Sequence, residues 1–180
     1  MIFEEKTLKS ELLYEGNILN LRRDLVTIKN GGTSYREIIE HREAAVMIPV
    51  TDEGKIVLVE QFRKALERAV LEVPAGKLEP GEAPIDAARR ELREETGYSA
   101  ASIEYMITYY PTVAYCQEKL YLFLCKNLTP GETDFDESES IEIHEYDLPT
   151  LKNMIMSGRI QDAKTIIAVL MLEQYMTEEN

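Results

Sequence analysis

Glu91, Glu94 and Glu95 fall within five residues, in a stretch, Pro84 to Thr96, whose apolar residues Ile85, Ala88 and Leu92 recur at helical spacing. At about 100° per residue the three carboxylates share one helix face, so they can converge on one point in space. Glu91 and Glu95 are an i,i+4 like-charge pair, which costs an isolated helix about 0.2–0.5 kcal/mol. A divalent cation reverses the sign of that argument, because carboxylate oxygens are the ligands that Mg²⁺ or Mn²⁺ prefers, together with waters and substrate phosphates. Arg90, one turn from Glu94, can pair with it or hold a neighbouring carboxylate in position. The three acids alone also fit a solvated helix face laced with Arg89, Arg90 and Arg93.

The helix needs ends and a scaffold. Glu79-Pro80-Gly81 precedes it, Pro84 suits its first turn, and Gly97 suits the left-handed residue that stops it. Upstream, residues 11 to 40 contain strand-like pieces around the turn signals Gly16-Asn17 and Asn30-Gly31-Gly32. Ala44 to Val50 and Lys55 to Phe62 are apolar runs joined by "TDEG", which predicts two buried strands with a tight turn, and "AVLEVPAG" predicts another strand ending at Pro74. Downstream, "SIEYMITYY", "KLYLFLCKNL" and "IEIHEY" read as strands, and helices are expected near Leu148 to Ser157 and Ala163 to Tyr175. Interspersed strands and helices predict an α/β or α+β sandwich.

Composition narrows the function classes. The 180 residues are 44% hydrophobic and 29% charged, which suits one globular domain or one with a small appended element. A formal net charge of −13 argues against a nucleic-acid backbone or an anionic membrane surface as the main partner. An anionic small molecule remains compatible where local Arg residues or metal ions hold it. Cys116 and Cys125 have neither zinc-site spacing nor a disulfide framework and read as free thiols in a reducing compartment. With no signal-length apolar core at the N-terminus and no span-length run, the expected location is cytoplasmic.

Gly76, Glu82, Arg90, Glu91, Leu92, Glu94, Glu95, Gly97 and Tyr98 together reproduce the pattern G-x5-E-x7-R-E-U-x-E-E-x-G-U, with Tyr98 the only loose match. The chain therefore resembles the Nudix hydrolases, which cleave a nucleoside diphosphate linked to another group. The resemblance implies an α/β/α sandwich with a mixed β-sheet. It also implies Mg²⁺ (or Mn²⁺) held by Glu91, Glu94 and Glu95, Arg90 orienting them, Glu82 supporting the site, and the backbone carbonyl of Ala75 as a further ligand. "EQFR", "LEVPAGKLEPGE", "YEGNILNLRRDLVTIKNGGTSYREIIEH" and "GRIQDAKTIIAVLML" are similar to the ADP-ribose pyrophosphatase branch, over most of residues 11 to 172.

That likeness implies a homodimer through a β-rich section at residues 1–42, ahead of a Nudix domain at 43–180. It implies substrate contact by Arg63. The aromatics Phe3, Tyr14, Tyr35 and Tyr115 are candidate stacking partners by residue type, which core or interface packing also explains. In the acidic stretch "FDESESIE", it places the general base at Glu137 and a further metal ligand at Glu139, with Glu142 a weaker candidate. One stretch departs from the branch: in "YYPTVAYCQEKL", Val113 and Ala114 stand where Pro and Gly are expected, although Glu118 matches the acidic position. The expected activity is cleavage of a nucleoside diphosphate sugar, ADP-ribose foremost, with GDP-mannose or another nucleotide sugar as the alternative. A module that senses a nucleotide without cleaving it is the reading from another class. His41 and His144 are not needed for this chemistry.

Overall fold

A computed structural model describes residues 1–135 and 140–178. In chain order the elements are β1 (Thr7–Glu15), β2 (Leu19–Thr27), β3 (Thr33–His41), β4 (Ala44–Pro49), β5 (Ile56–Arg63), β6 (Arg68–Glu72) and β7 (Ala75–Lys77). They continue with α1 (Pro84–Thr96), β8 (Tyr98–Tyr109), β9 (Leu120–Pro130), β10 (Ile141–Tyr146), α2 (Leu148–Met156) and α3 (Ala163–Glu178).

Two compact units are present, residues 1–43 with 110–119, and residues 44–109 with 120–180. In the first, β1, β2 and β3 form an antiparallel meander whose turns fall at the Gly-Asn and Asn-Gly-Gly signals. The segment 110–119 joins it through backbone bonds: Ile39 N–H donates to Tyr115 O at 2.7 Å, and Gln117 N–H to Ile39 O at 3.1 Å.

The second unit carries two sheets, in the orders β7-β4-β9-β8 and β10-β5-β6. β4 runs parallel to β9 and antiparallel to β7, so the first of these sheets is mixed. β4 is buried at all six positions because both of its faces are covered. Ala45 and Met47 pack with Ala87, Ala88 and Leu92 of α1, whereas Ala44, Val46 and Ile48 pack with Leu58 of the other sheet and with Leu151, Ala168 and Leu172 of α2 and α3. A fully buried strand reads as a continuous apolar run, which is how it looks in sequence. Leu92 has no exposed surface and contributes about 1.5–3 kcal/mol, fastening α1 to the sheet.

The expected strands are present, and two of their connections add to what the sequence shows. β4 and β5 are joined by a tight turn, Thr51 N–H donating to Lys55 O at 2.8 Å, but they meet at one isolated bridge, Val50 with Ile56, and then enter different sheets. The strand expected to end at Pro74 is followed at once by another, β7. Proline has no N–H for the ladder, so the chain leaves β6, and Pro74 O accepts from Met47 N–H at 2.9 Å as β7 joins β4.

Candidate active site

α1 (Pro84–Thr96) is ended by Gly97, where φ is +72°, the left-handed stop expected from sequence. Ala87, Ala88 and Leu92 pack on the sheet, and Glu91 and Glu95 lie on the same side of the helix, over β7. Arg90 is the hub of the charged groups. Its Nε and Nη2 donate to Glu82 at 3.0 and 2.9 Å, its Nη1 donates to Glu91 at 2.8 Å and Glu94 at 3.0 Å, and Nη2 also donates to Lys77 O at 3.1 Å. All five guanidinium N–H groups are therefore spent on protein acceptors. Arg90 orients these carboxylates, and its charge offsets the repulsion between Glu91 and Glu94. The hydrogen bonds to Glu82, then those to Glu91 and Glu94, raise the Arg90 pKa above its ordinary value. The bond from Arg90 likewise holds the Glu82 carboxyl below its ordinary value.

The three carboxylates are graded in depth. Glu95 is 6% exposed and accepts from the backbone N–H of Ala75 at 3.0 Å, which fixes it against β7. Glu91 lies over Gly76, where a Cβ would stand 1.8 Å from its carboxyl carbon. Glu94 is the most exposed of the three. Its own carbonyl accepts from Asp134 N–H at 3.1 Å, tying the chain after β9 to the end of the helix. Three hard oxygen donors beside strand backbone suit a small divalent cation, so the residues fit Mg²⁺ or Mn²⁺. Arg90 Nη1 bonds both Glu91 and Glu94, while Ala75 N–H holds Glu95. Among the described residues, the group with three ligand atoms mutually within 4.8 Å is Glu60, Glu142 and His144 on β5 and β10. Glu60 stands directly opposite Glu142, and His144 Nε2 lies 3.1 Å from Glu60, pairing that sequence reading had set aside for His144.

Arg63, at the end of β5, donates from Nε and Nη2 to the two oxygens of Glu72 at 2.8 and 2.7 Å. Glu72 is 3% exposed and also bonds Lys164, which lies 3.1 Å from Asp162. Burial opposes ionisation of Glu72, but the hydrogen bonds from Arg63 and Lys164 outweigh it and leave its pKa below the ordinary value. Beside this network is a cavity of ≈ 380 Å³ lined by Arg63, Leu66, Arg68, Gln161, Asp162 and Lys164 among others. Sequence reasoning assigned no chemistry to Glu72 or Lys164. The signal available was the segment "GRIQDAKTI", noted only for its family likeness.

The other expected contacts lie in the first unit. Tyr35 is 59% exposed, with the Arg23 guanidinium 4.9 Å from its ring centroid. Glu118 pairs with His41 Nδ1 at 3.4 Å. Val113, the departure from the branch, is 81% exposed. Glu137 and Glu139 lie outside the described residues.

Comparison with known proteins defines the class. A family model described as the NUDIX domain matches residues 40–167. The chain belongs to that family. It is 42% identical over 174 residues to the methanol dehydrogenase activator of Bacillus methanolicus, covering 96% of this chain and 94% of that protein. It is 41% identical over 172 residues to the ADP-ribose pyrophosphatase of Bacillus subtilis (strain 168), covering 94% and 93%. A solved structure of an ADP compounds hydrolase superposes with a TM-score of 0.91 at 20% identity, over 100% of this chain and 98% of that one, which establishes the sandwich fold expected from sequence.

Proposed function

We propose that this protein hydrolyses ADP-ribose to AMP and ribose 5-phosphate in a reaction that depends on Mg²⁺, with Mn²⁺ able to use the same ligands. The observation that carries the reading is the α1 carboxylate face, Glu91, Glu94 and Glu95 held by Arg90, Ala75 and Gly76, in a chain 41% identical to an ADP-ribose pyrophosphatase. Glu91, Glu94, Glu95 and the Ala75 carbonyl are the proposed metal ligands, with Glu139 joining them from the acidic stretch. Bound metal supplies charge neutralisation on the diphosphate and a lowered pKa for the attacking water.

The chain's own groups do the positioning. Glu82 and Arg90 set the carboxylate rotamers, and the Ala75 N–H fixes Glu95. Glu137 is the proposed acceptor of the water's proton as the P–O–P bridge breaks. Arg63 is the proposed contact for the anionic substrate, and Glu118 and Tyr35 are proposed contacts from the first unit, Tyr35 through the ring face that Arg23 does not cover.

A homodimer through the section at 1–42 is part of this reading, supported by β1, which is exposed along its whole length with Leu8, Leu12, Leu13 and Tyr14 on its surface. The net charge of −13 supports a small-molecule substrate over nucleic acid. No described helix is long and apolar enough to cross a membrane, in keeping with the proposed cytoplasmic location.

The test is nucleoside monophosphate release from ADP-ribose, GDP-mannose, other nucleotide sugars and dinucleoside polyphosphates, with Mg²⁺ or EDTA, beside Glu95→Gln. Turnover concentrated on ADP-ribose, and lost with EDTA and in the variant, is expected. A preference for GDP-mannose would overturn the substrate, and tight binding without cleavage would favour a sensor. The likeness to a methanol dehydrogenase activator favours a second reading, in which the protein raises the activity of a dehydrogenase; adding it to a purified methanol dehydrogenase tests that directly.

A further inference from the structure

We propose that Lys164 and Glu72 form a clamp that positions Arg63 for the substrate, making the first turn of α3 part of the binding machinery. The inference rests on the hydrolase reading above and extends it to residues with no assigned role. Glu72 takes the Nε and Nη2 edge of Arg63 with both carboxylate oxygens, so the guanidinium cannot rotate without breaking two charge-assisted bonds. That leaves the two Nη1 hydrogens and one on Nη2 for the cavity side. The Arg63 side chain is 42% exposed, whereas those of Glu72 and Lys164 are 4% and 15% exposed, so the clamp is buried and the clamped group faces out.

Two cations share Glu72. Lys164 bonds Glu72 and also donates to Asp162 at 3.1 Å, so the charges of the cluster balance; what Lys164 contributes is to hold Glu72 in place against Arg63. Lys164 is itself held from behind. Asp162 accepts from Thr165 N–H at 3.0 Å and from the Thr165 hydroxyl at 2.6 Å, and the same hydroxyl accepts from Val73 N–H at 2.9 Å. Val73 follows Glu72 directly, so α3 is bolted to the end of β6 at two adjacent residues. Two residues further on, Ala75 fixes Glu95. Lys164 and Glu72 are 92 positions apart in the chain, and the cavity of ≈ 380 Å³ opens where they meet Arg63.

The experiment compares steady-state kinetics of wild type, Lys164→Met, Lys164→Arg, Arg63→Ala and the Arg63→Ala/Lys164→Met double variant, with thermal melting as a check on folding. Loss of one positioned charge-assisted contact predicts a KM about tenfold higher for Lys164→Met, with kcat within about threefold. Lys164→Arg should restore most of the KM. In the Arg63→Ala background, Lys164→Met should change KM by less than about twofold, since the clamp acts only through Arg63. An unchanged KM in folded Lys164→Met, or an equal effect with and without Arg63, overturns the proposal. Where Lys164→Met does not fold, Lys164→Gln, which keeps a polar side chain but removes the ammonium and its charge-assisted bond to Glu72, is read by the same criteria. If wild type cleaves none of the nucleotide sugars, the hydrolase reading fails separately, and the comparison is made on ADP-ribose Kd by calorimetry, where the same non-additivity decides.

Discussion

Gly76→Ala separates the placement of a carboxylate from its presence. The new Cβ would stand 1.8 Å from the carboxyl carbon of Glu91 and 2.1 Å from each of its oxygens, so the carboxylate has to leave. Every ionisable group of the site is retained. Gly76 is not at positive φ, so alanine adds no backbone strain there. Because the displaced atoms are the end of a flexible side chain, the stability cost is gauged from the Arg90–Glu91 hydrogen bond at 2.8 Å, one of the interactions Glu91 makes. A hydrogen bond to a charged group is worth about 1.5–3 kcal/mol, and its partial exposure discounts this to about 1 kcal/mol. That corresponds to a fall of about 2–4 °C in Tm for a chain of this size. A displacement of about 1 Å in a positioned group costs about 10²-fold in rate, so kcat on ADP-ribose should fall by about that factor. The assay is AMP release at saturating Mg²⁺, with differential scanning fluorimetry on the same samples. Activity within about threefold of wild type would refute the placement argument, as would a collapse in Tm that accounts for the loss.

Three further outcomes follow from the local geometry. Asp147 caps α2 by accepting from Thr150 N–H at 2.8 Å, so Asp147→Ala should cost about 1 kcal/mol in chemical denaturation and leave turnover unchanged. At Gly97, with φ +72°, a Cβ would also meet Gly131 O at 2.7 Å; Gly97→Ala should lose at least about 1 kcal/mol and loosen the helix terminus, visible as faster amide exchange at Asp134. Burial pushes the Cys125 thiol up to about 12, so it should resist thiol reagents in the folded protein. Its folded value lies above the unfolded one near 9, so the unfolded chain releases the proton first; stability is full below that pH and declines as pH rises toward 12, a slope that Cys125→Ala should flatten in pH-dependent melts.

How legible each feature was tracks the sequence distance between the groups that make it. The α1 helix, its proline start and glycine stop, and the shared face of Arg90, Glu91 and Glu94 lie within residues 84 to 97 and obey helical period, so the sequence alone specifies them, whereas Glu82, ahead of the helix, was legible only through the motif. The nine-position motif likewise carried the family, which the NUDIX match over residues 40–167 bears out. The apolar run of β4 was legible as a buried strand, but not its neighbours: its parallel partner β9 and the divergence of β5 into another sheet depend on how two layers share one core.

Arg63 was legible as a candidate and its setting was not. Glu72 and Lys164 approach only when the end of β6 meets the first turn of α3, and no local pattern encodes a pair 92 residues apart. The group of Glu60, Glu142 and His144 has the same origin, two strands in register across a long connection. The sequence by itself determined which groups can do the chemistry, because short-range periodicity and capping are properties of the chain. Only the tertiary structure decided how those groups are held, because the burial that makes Glu72 and Glu95 rigid comes from elements distant along the chain.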